Sequence, residues 1–343
     1  MASTRYEAKI FQLPNLSGKD LKRAFAKASL RLGEYRETIN NLNVFPVPDG
    51  DTGTNMLLTM QAAMERCPDS DEPTVAEVAS QLAEGAFFGA RGNSGVILSQ
   101  FFKGLSDALQ ENETSSVHDL AYAFDLATKA AYSSVATAVE GTMLTVIRQA
   151  AEAVKKLVDS GASSQIAGLW ETAFLASREA LKQTPEQLPV LREAGVVDSG
   201  GFGMVVILGG GLEALVPDID VTNLLDIYPN ASDSFNGNST KGSYLPTTVE
   251  TKWGYCTEFI INGEGLTLDG VRRWFQETAL STLVAGDSRH LRFHIHVEDP
   301  GPALSYAVSQ GIISDVKIES MDRQILEFAE LEGRAYEPMR SLS

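Results

Sequence analysis

Asp49 and Asp51 stand one residue apart in N-V-F-P-V-P-D-G-D-T-G-T-N-M, residues 43–56. Two carboxylates this close repel each other unless a cation lies between them, and hard oxygen ligands suit Mg²⁺. Pro46 and Pro48 remove backbone donors and push the residues before them into extended conformations, so the stretch is expected to be non-helical. Gly50 and Gly53 allow φ > 0 and a close approach of backbone to a ligand. Thr52, Thr54 and Asn55 add donors where a new helix begins, a position that favours phosphate. A solvated connecting loop would also use D-G pairs. The flanking prolines, the second glycine and the T-N run favour a nucleotide–Mg²⁺ site.

A second candidate is G-A-R-G-N-S-G, residues 89–95, which interrupts two apolar helical segments. Such a break is either a packing kink or a phosphate cradle of bare backbone N–H groups. G-x-x-x-x-G-K-[ST] does not occur, so the phosphate device is not a P-loop. The third candidate lies far along the chain. Between residues 290 and 297, Leu291, Phe293, Ile295 and Val297 alternate with His290, Arg292, His294 and His296. In a strand, His294 and His296 therefore share one face. Cys256 and Glu258 share a face of the strand expected over residues 255–261. Cys with two His at i, i+2 is a plausible Zn²⁺ set, and a merely polar sheet face is the alternative.

These residues need elements to position them. Helices are expected over about residues 17–40, 56–66, 74–88, 96–109, 117–136, 142–160, 166–182 and 204–215, with no strand before 215. Cys67 at the end of the second helix has no assigned role. An all-α, eight-helix barrel-like bundle over residues 1–216, carrying its site on the loops at one end, fits this pattern. Residues 217–250 are poor in apolar side chains and read as a linker. Residues 251–325 follow the order βαββαβ, a small ferredoxin-like α+β domain whose first and third strands are central neighbours. Residues 326–343 read as a tail.

The totals exclude some classes. A net charge of −17 leaves no basic surplus for nucleic acid. Two cysteines are too few for a disulfide framework and fit a reducing compartment. No 18-residue apolar run and no secretory signal are seen, so a cytoplasmic location is expected.

L-N-V-F-P-V-P-D-G-D-T-G-T-N-M closely resembles the metal loop of bacterial fatty acid kinases, whose catalytic domain is related to the nucleotide-binding subunit of dihydroxyacetone kinases. G-A-R-G-N-S-G is similar to their second nucleotide loop, and A-G-V-V-D-S-G-G, residues 194–201, to a loop closing over the nucleotide. Y-C-T-E-F with H-I-H-V-E-D-P-G resembles their zinc-bearing middle domain. The resemblance spans about residues 15–325.

It implies that Asp49 and Asp51 hold Mg²⁺ on the β- and γ-phosphates of ATP. Where dihydroxyacetone kinases carry a third Asp, this chain has Asn43 with one extra residue between, as fatty acid kinases do; Asn43 is thus the third Mg²⁺ candidate. Thr52, Gly53, Thr54, Asn55, Gly92, Asn93, Ser94 and Gly95 would surround the nucleotide. Arg91 would be the nearest cation for the transferring phosphoryl group, or else a surface residue capping a helix. Gly141, Thr142 and Met143 would lie near the adenine, and Asp198 with Gly200 near ribose or phosphate. Cys256, His294 and His296 would hold Zn²⁺, with Glu258 and His290 nearest the fourth position. Because this set is remote in sequence from the nucleotide loops, its expected role is structural.

The implied reaction moves a phosphoryl group to the carboxylate of a fatty acid presented by a separate lipid-binding protein. The alternatives are a small-metabolite kinase and a regulatory subunit that holds ADP–Mg²⁺. A homodimer is left open. The family usually continues into a further domain that engages the acyl carrier. This chain is expected to lack most or all of it, and so to be slow by itself.

Overall fold

A computed structural model describes residues 13–162, 165–216, 218–225 and 254–331. Most of the expected linker lies outside these residues.

Three helices begin at sequence-encoded capping boxes. Ser17 with Asp20 opens α1 (Gly18–Asn41), Thr74 with Glu77 opens α3 (Val75–Gly89), and Ser116 with Asp119 opens α5 (Val117–Ser133). In each, side chain and backbone satisfy one another's orphan donors. The other helices here are α2 (Thr52–Glu65), α4 (Gly92–Leu109), α6 (Met143–Asp159), α7 (Ile166–Gln187), α8 (Pro189–Ala194) and α9 (Ser199–Leu215). The long helices pack each on the next, and α9 closes the ring by contacting both α7 and α1. The expected eight-helix barrel is therefore present, with the short α8 added. Its interior is filled by Phe25, Phe102, Phe124 and Trp170 in edge-to-face contacts. They leave a void of about 10 Å³, room for roughly one water and none for an acyl chain.

Several boundaries differ from expectation. α2 starts at Thr52 rather than Met56. Gly53 lets it: a Cβ there would stand 2.3 Å from the Arg36 carbonyl oxygen, so only glycine allows α2 this close to α1. The Asn40 side chain then accepts from the Thr54 N–H at 3.1 Å. α7 runs through Pro185 instead of stopping before it. The Leu181 carbonyl, robbed of its partner by the proline, accepts from Thr184 Oγ1 at 2.7 Å. α9 absorbs the G-G-F-G run expected to be a turn, because these glycines pack directly on Met143, Val146 and Met56. A two-residue ladder, β1 (Leu16–Ser17) with β2 (Thr114–Ser115), also appears where no strand was expected. Backbone pairing of so few residues leaves no alternation in the sequence.

After the four-residue α10 (Thr222–Leu225), the second domain comprises β3 (Tyr255–Asn262), α11 (Leu268–Thr278), β4 (Ser281–Gly286), β5 (His290–Val297), α12 (Pro300–Gln310), β6 (Ile312–Ser320) and α13 (Met321–Leu331). The sheet is antiparallel in the order β4-β5-β3-β6, the ferredoxin-like arrangement. One face packs Phe259, Ile261, Phe293 and Ile295 under α11 and α12 around Phe275. α13 starts at Met321 and overruns the boundary expected at 326; Met321 and Ile325 bury against Val47. Tertiary contact, rather than a local start signal, supports this helix. Among the described residues no helix is long and apolar enough to cross a membrane.

Candidate functional site

Residues 43–51 connect α1 to α2. Asn43, buried at the end of α1, organises them: its Nδ2 donates to Asp49 Oδ1 at 2.6 Å and to the Val47 carbonyl at 3.1 Å. Its Oδ1 accepts from Thr52 Oγ1 at 2.9 Å and from Ser199 Oγ at 3.4 Å. Both polar atoms of this side chain brace the loop, and the residue also lines the cleft beside the two carboxylates. Asp51 occupies the N-cap position of α2 without capping it. Both carboxylates keep an edge open to a cleft, with protein surrounding their other sides. Burial, then the charge of Asp51, push the Asp49 carboxyl well above its ordinary range, and burial likewise raises Asp51. A cation beside such a pair would favour its ionised form.

Across the cleft stands the first turn of α4. The expected glycine-rich loop shrinks to Ala90 and Arg91, and Gly92 already begins the helix. Gly92 sits at φ +58°, and a Cβ on it would come within 2.3 Å of Asn55 Nδ2. Glycine here lets α4 begin beside α2. Thr59 fixes the junction, accepting from the Arg91 N–H at 3.1 Å and donating to the Asn55 carbonyl at 2.7 Å. In this first turn the Gly95 N–H is taken by the Arg91 carbonyl at 2.9 Å and the Gly92 N–H by the Glu258 carboxylate at 2.8 Å, which leaves those of Asn93 and Ser94, both lining the cleft, as donors suited to phosphate.

The helix-free face of the sheet closes the cleft. Arg292 donates to the carbonyls of Phe87, Phe88 and Ala90 at 3.2, 3.1 and 2.6 Å, filling the end of α3. Ala90 and Val96 bury against Leu283 and Ala285 of β4. Register sets Cys256 opposite His296 and Glu258 opposite His294. Cys256 Sγ lies 3.8 Å from His294 Nε2, and the two histidine Nε2 atoms are 3.1 Å apart. The three ligand atoms all fall within 4.8 Å of one another, a separation suited to one tetrahedral metal. Burial works against a charged His294, but Cys256 and Glu258 outweigh it and hold its pKa well above the ordinary value. His296 is pushed down to about 3 by burial and by the charge of His294. Burial also opposes ionisation of Glu258, yet His294, the Gly92 N–H and Arg292 bring it down to about 2.

Residues 46–213 match the family described as "DAK2 domain", and residues 252–328 match the middle-domain family of fatty acid kinase-like proteins. The chain belongs to the family that joins these two domains. It is 35% identical over 322 residues to Protein YloV of Bacillus subtilis, covering 90% of this chain and 56% of that protein. It is 32% identical over 330 residues to an uncharacterized protein of Staphylococcus aureus strain USA300, covering 95% and 59% respectively. The chain therefore spans less than two thirds of the length of these relatives. A crystal structure of the dihydroxyacetone kinase of C. freundii aligns with a TM-score of 0.39 at 18% identity, over 61% of this chain and 37% of that one.

The cleft between the DAK2 and middle domains gathers Asn43, Asp49, Asp51, Thr52, Asn55, Gly92, Asn93 and Ser94 with Cys256, Glu258, His294 and His296. The Cys256–His294–His296 set, remote in sequence from the nucleotide loops, thus lies beside them in space. The βαββαβ order leaves one sheet face bare, and that face covers the α3–α4 junction. Other expected residues do not meet there. Arg91 is exposed and lies outside the cleft lining. Asp198 caps α9, accepting from the Gly201 N–H at 2.7 Å, and neither it nor Gly200 lines the cleft. Gly141, Thr142 and Met143 form the entry to α6, also outside it. His290 turns to Asp287 and the edge of Phe88. Thr59, Arg292 and Lys317 carry no local sequence signal for the parts they play here. Lys317 lies opposite Glu258 on β6 and brings an ammonium group to the cleft rim. Its strand alternation was legible, but its nearness to Asp51 was not.

The residues present fit both metals that the family implies. Asp49 and Asp51 are buried hard oxygen donors, and the Cys256–His294–His296 set offers soft sulfur and imidazole nitrogen. Asn93 Oδ1 and Glu258 Oε2, both on residues lining the cleft, are buried without a hydrogen-bond partner. Orphaned acceptors of this kind fit a cleft built for a further occupant.

Proposed function

We propose that this chain is the nucleotide-binding and phosphoryl-transferring portion of a fatty acid kinase. ATP binds in the cleft, and its γ-phosphoryl group passes to the carboxylate of a fatty acid held by a separate lipid-binding protein, giving an acyl phosphate. One observation carries the reading: the buried Asp49–Asp51 pair faces the N-terminal turn of α4 across one cleft. That juxtaposition of a cation site and an anion site matches a metal-bound polyphosphate. The fatty acid acceptor is favoured by the description of the matching middle domain.

Asp49 and Asp51 would hold Mg²⁺, which when bound neutralises charge on the β- and γ-phosphates. Asn43 keeps Asp49 aimed at the cleft, and the N–H groups of Asn93 and Ser94 receive phosphate oxygens. Lys317 supplies a cation at the rim, a position the sequence had assigned to Arg91. No general base is required, since a fatty acid carboxylate reaches the cleft already ionised. Phosphoryl transfer asks chiefly for positioning and charge neutralisation, and these residues provide both. Cys256, His294 and His296 would hold Zn²⁺ beside the phosphate site. Their place on the cleft wall supports a part in organising that site.

The experiment is to incubate the chain with ATP–Mg²⁺, a fatty acid and a lipid-binding carrier protein, trapping acyl phosphate with hydroxylamine. Acyl hydroxamate formed only with all components is the expected result. Turnover with dihydroxyacetone instead, or tight ADP retention with neither acceptor, would replace this reading by the small-metabolite kinase or the regulatory role.

A further inference from the structure

Glu258 links the metal-ligand cluster to the phosphate-facing turn. Its Oε1 accepts from the Gly92 N–H at 2.8 Å and stands 2.9 Å from His294 Nδ1. Gly92 begins α4 in the DAK2 domain, whereas His294 lies on β5 of the middle domain. The residue is 4% exposed, so water cannot substitute for either partner. Its second oxygen has no hydrogen-bond partner and lies 3.8 Å from Arg292, whose guanidinium fills the carbonyls just before the same turn. One buried carboxylate therefore fixes the first N–H of the turn and the ring of a candidate metal ligand together.

We propose that Glu258 is a positioning residue that couples occupancy of the Cys256–His294–His296 cluster to nucleotide binding at the Gly92 turn. The inference rests on the functional reading above and adds a linkage to it. A histidine that ligates a metal through Nε2 donates its Nδ1–H to an outer partner, and a carboxylate in that place sets the ring orientation. Here that outer partner also holds the Gly92 N–H. Orienting His294 on a metal orders the Glu258 carboxylate, which orders the backbone that receives phosphate. Linkage makes the effect reciprocal: nucleotide must tighten metal binding by the same factor that metal tightens nucleotide binding.

The test is a cycle of binding constants on the full chain, purified without a polyhistidine tag. Zn²⁺ affinity is measured by competition with a chromophoric chelator, with and without saturating ADP–Mg²⁺. The expected wild-type ratio of the two Zn²⁺ affinities is about fivefold or more, the usual lower range of coupling between sites. Glu258→Ala is expected to bring that ratio to within about twofold of one while both ligands still bind. A merely structural role would weaken binding or lower stability without changing the ratio. If Glu258→Ala does not fold by circular dichroism, Glu258→Gln is read in its place. It keeps an oxygen acceptor but loses the charge, and its ratio should fall to half the wild-type value or less. A wild-type ratio of one, or a wild-type ratio retained in the variant, overturns the proposal and leaves the kinase reading standing. A wild-type chain that binds no ADP–Mg²⁺ removes that reading, and this inference with it.

Discussion

Asp49 and Glu258 face the same cleft from opposite walls, and their carboxyls are shifted in opposite directions. Burial raises Asp49, and its nearest charged neighbour, Asp51, raises it further. Burial opposes ionisation of Glu258 too, but His294, the Gly92 N–H and Arg292 overcome it and bring the group to about 2. Burial alone therefore does not decide ionisation; the partners supplied by the fold do. The helical wall presents a carboxyl pair whose ionisation burial opposes more than its neighbours favour it. The sheet wall presents a carboxylate already provided with donors and a cation. The first is built to receive something from outside, the second to hold other parts of the protein in place.

The largest expected effect comes from discharging the helical wall. Asp49→Asn and Asp51→Asn should each weaken ADP–Mg²⁺ binding by about a hundredfold or more, since each would remove a charged ligand of the proposed Mg²⁺ site. The melting temperature without ligand should stay level or rise, because repulsion is relieved. Thermal shift with and without ADP–Mg²⁺ reads both quantities, and an unchanged ligand-induced shift in both variants would end the assignment.

A third carboxylate sharpens the comparison. Asp198 is buried as an N-cap, and burial raises it to about 7 despite hydrogen bonds from the Gly201 and Met143 backbone. Its folded pKa lies above its unfolded one, so the folded state binds the proton more tightly. The stabilisation this gives is full below the unfolded value of 3.8 and is lost as pH climbs through about 7. The whole swing corresponds to about 4 kcal/mol at 1.36 kcal/mol per unit. Asp198→Asn keeps an oxygen acceptor for the cap and should flatten that loss. Urea unfolding at pH 5 and pH 8 checks it: the variant should gain on the wild type only at the higher pH. An equal pH dependence in both proteins would show that Asp198 is not the group responsible.

The smallest effects separate two cations. Lys317→Ala should lower kcat in the acyl phosphate assay by about tenfold, since charge at the transferring group is lost. Arg91→Ala should change it by less than about twofold, as expected of an exposed side chain outside the cleft. The reverse order would return the transfer cation to the position suggested by the sequence.

The helical domain was readable because its signals are local. Ser17, Thr74 and Ser116 announce helix starts with an acidic residue three positions on, and Pro46, Pro48 and Gly50 mark the acidic loop. Alternation in β5 places His294 and His296 on one face, and the βαββαβ order makes the Cys256 strand their neighbour. Where local signals misled, a neighbour explains it. Pro185 stays in its helix because Thr184 serves the stranded carbonyl, and the glycines after Asp198 are helical because other helices lean on them.

Local pattern is enough for the two domains, the acidic pair, the sheet order and the membership of each face, since these follow from periods of 3.6 and 2 and from turn chemistry. That the bare face of the sheet lies on the α3–α4 junction is a matter of long-range packing. That docking depends on Arg292 meeting three carbonyls more than 200 residues earlier in the chain, and on Ala90 and Val96 meeting Leu283 and Ala285. No local pattern encodes a contact between a side chain and distant backbone carbonyls, because any helix end offers the same atoms. The merging of two apparent sites into one cleft, and the place of Glu258 between them, therefore could not be read from residue spacing.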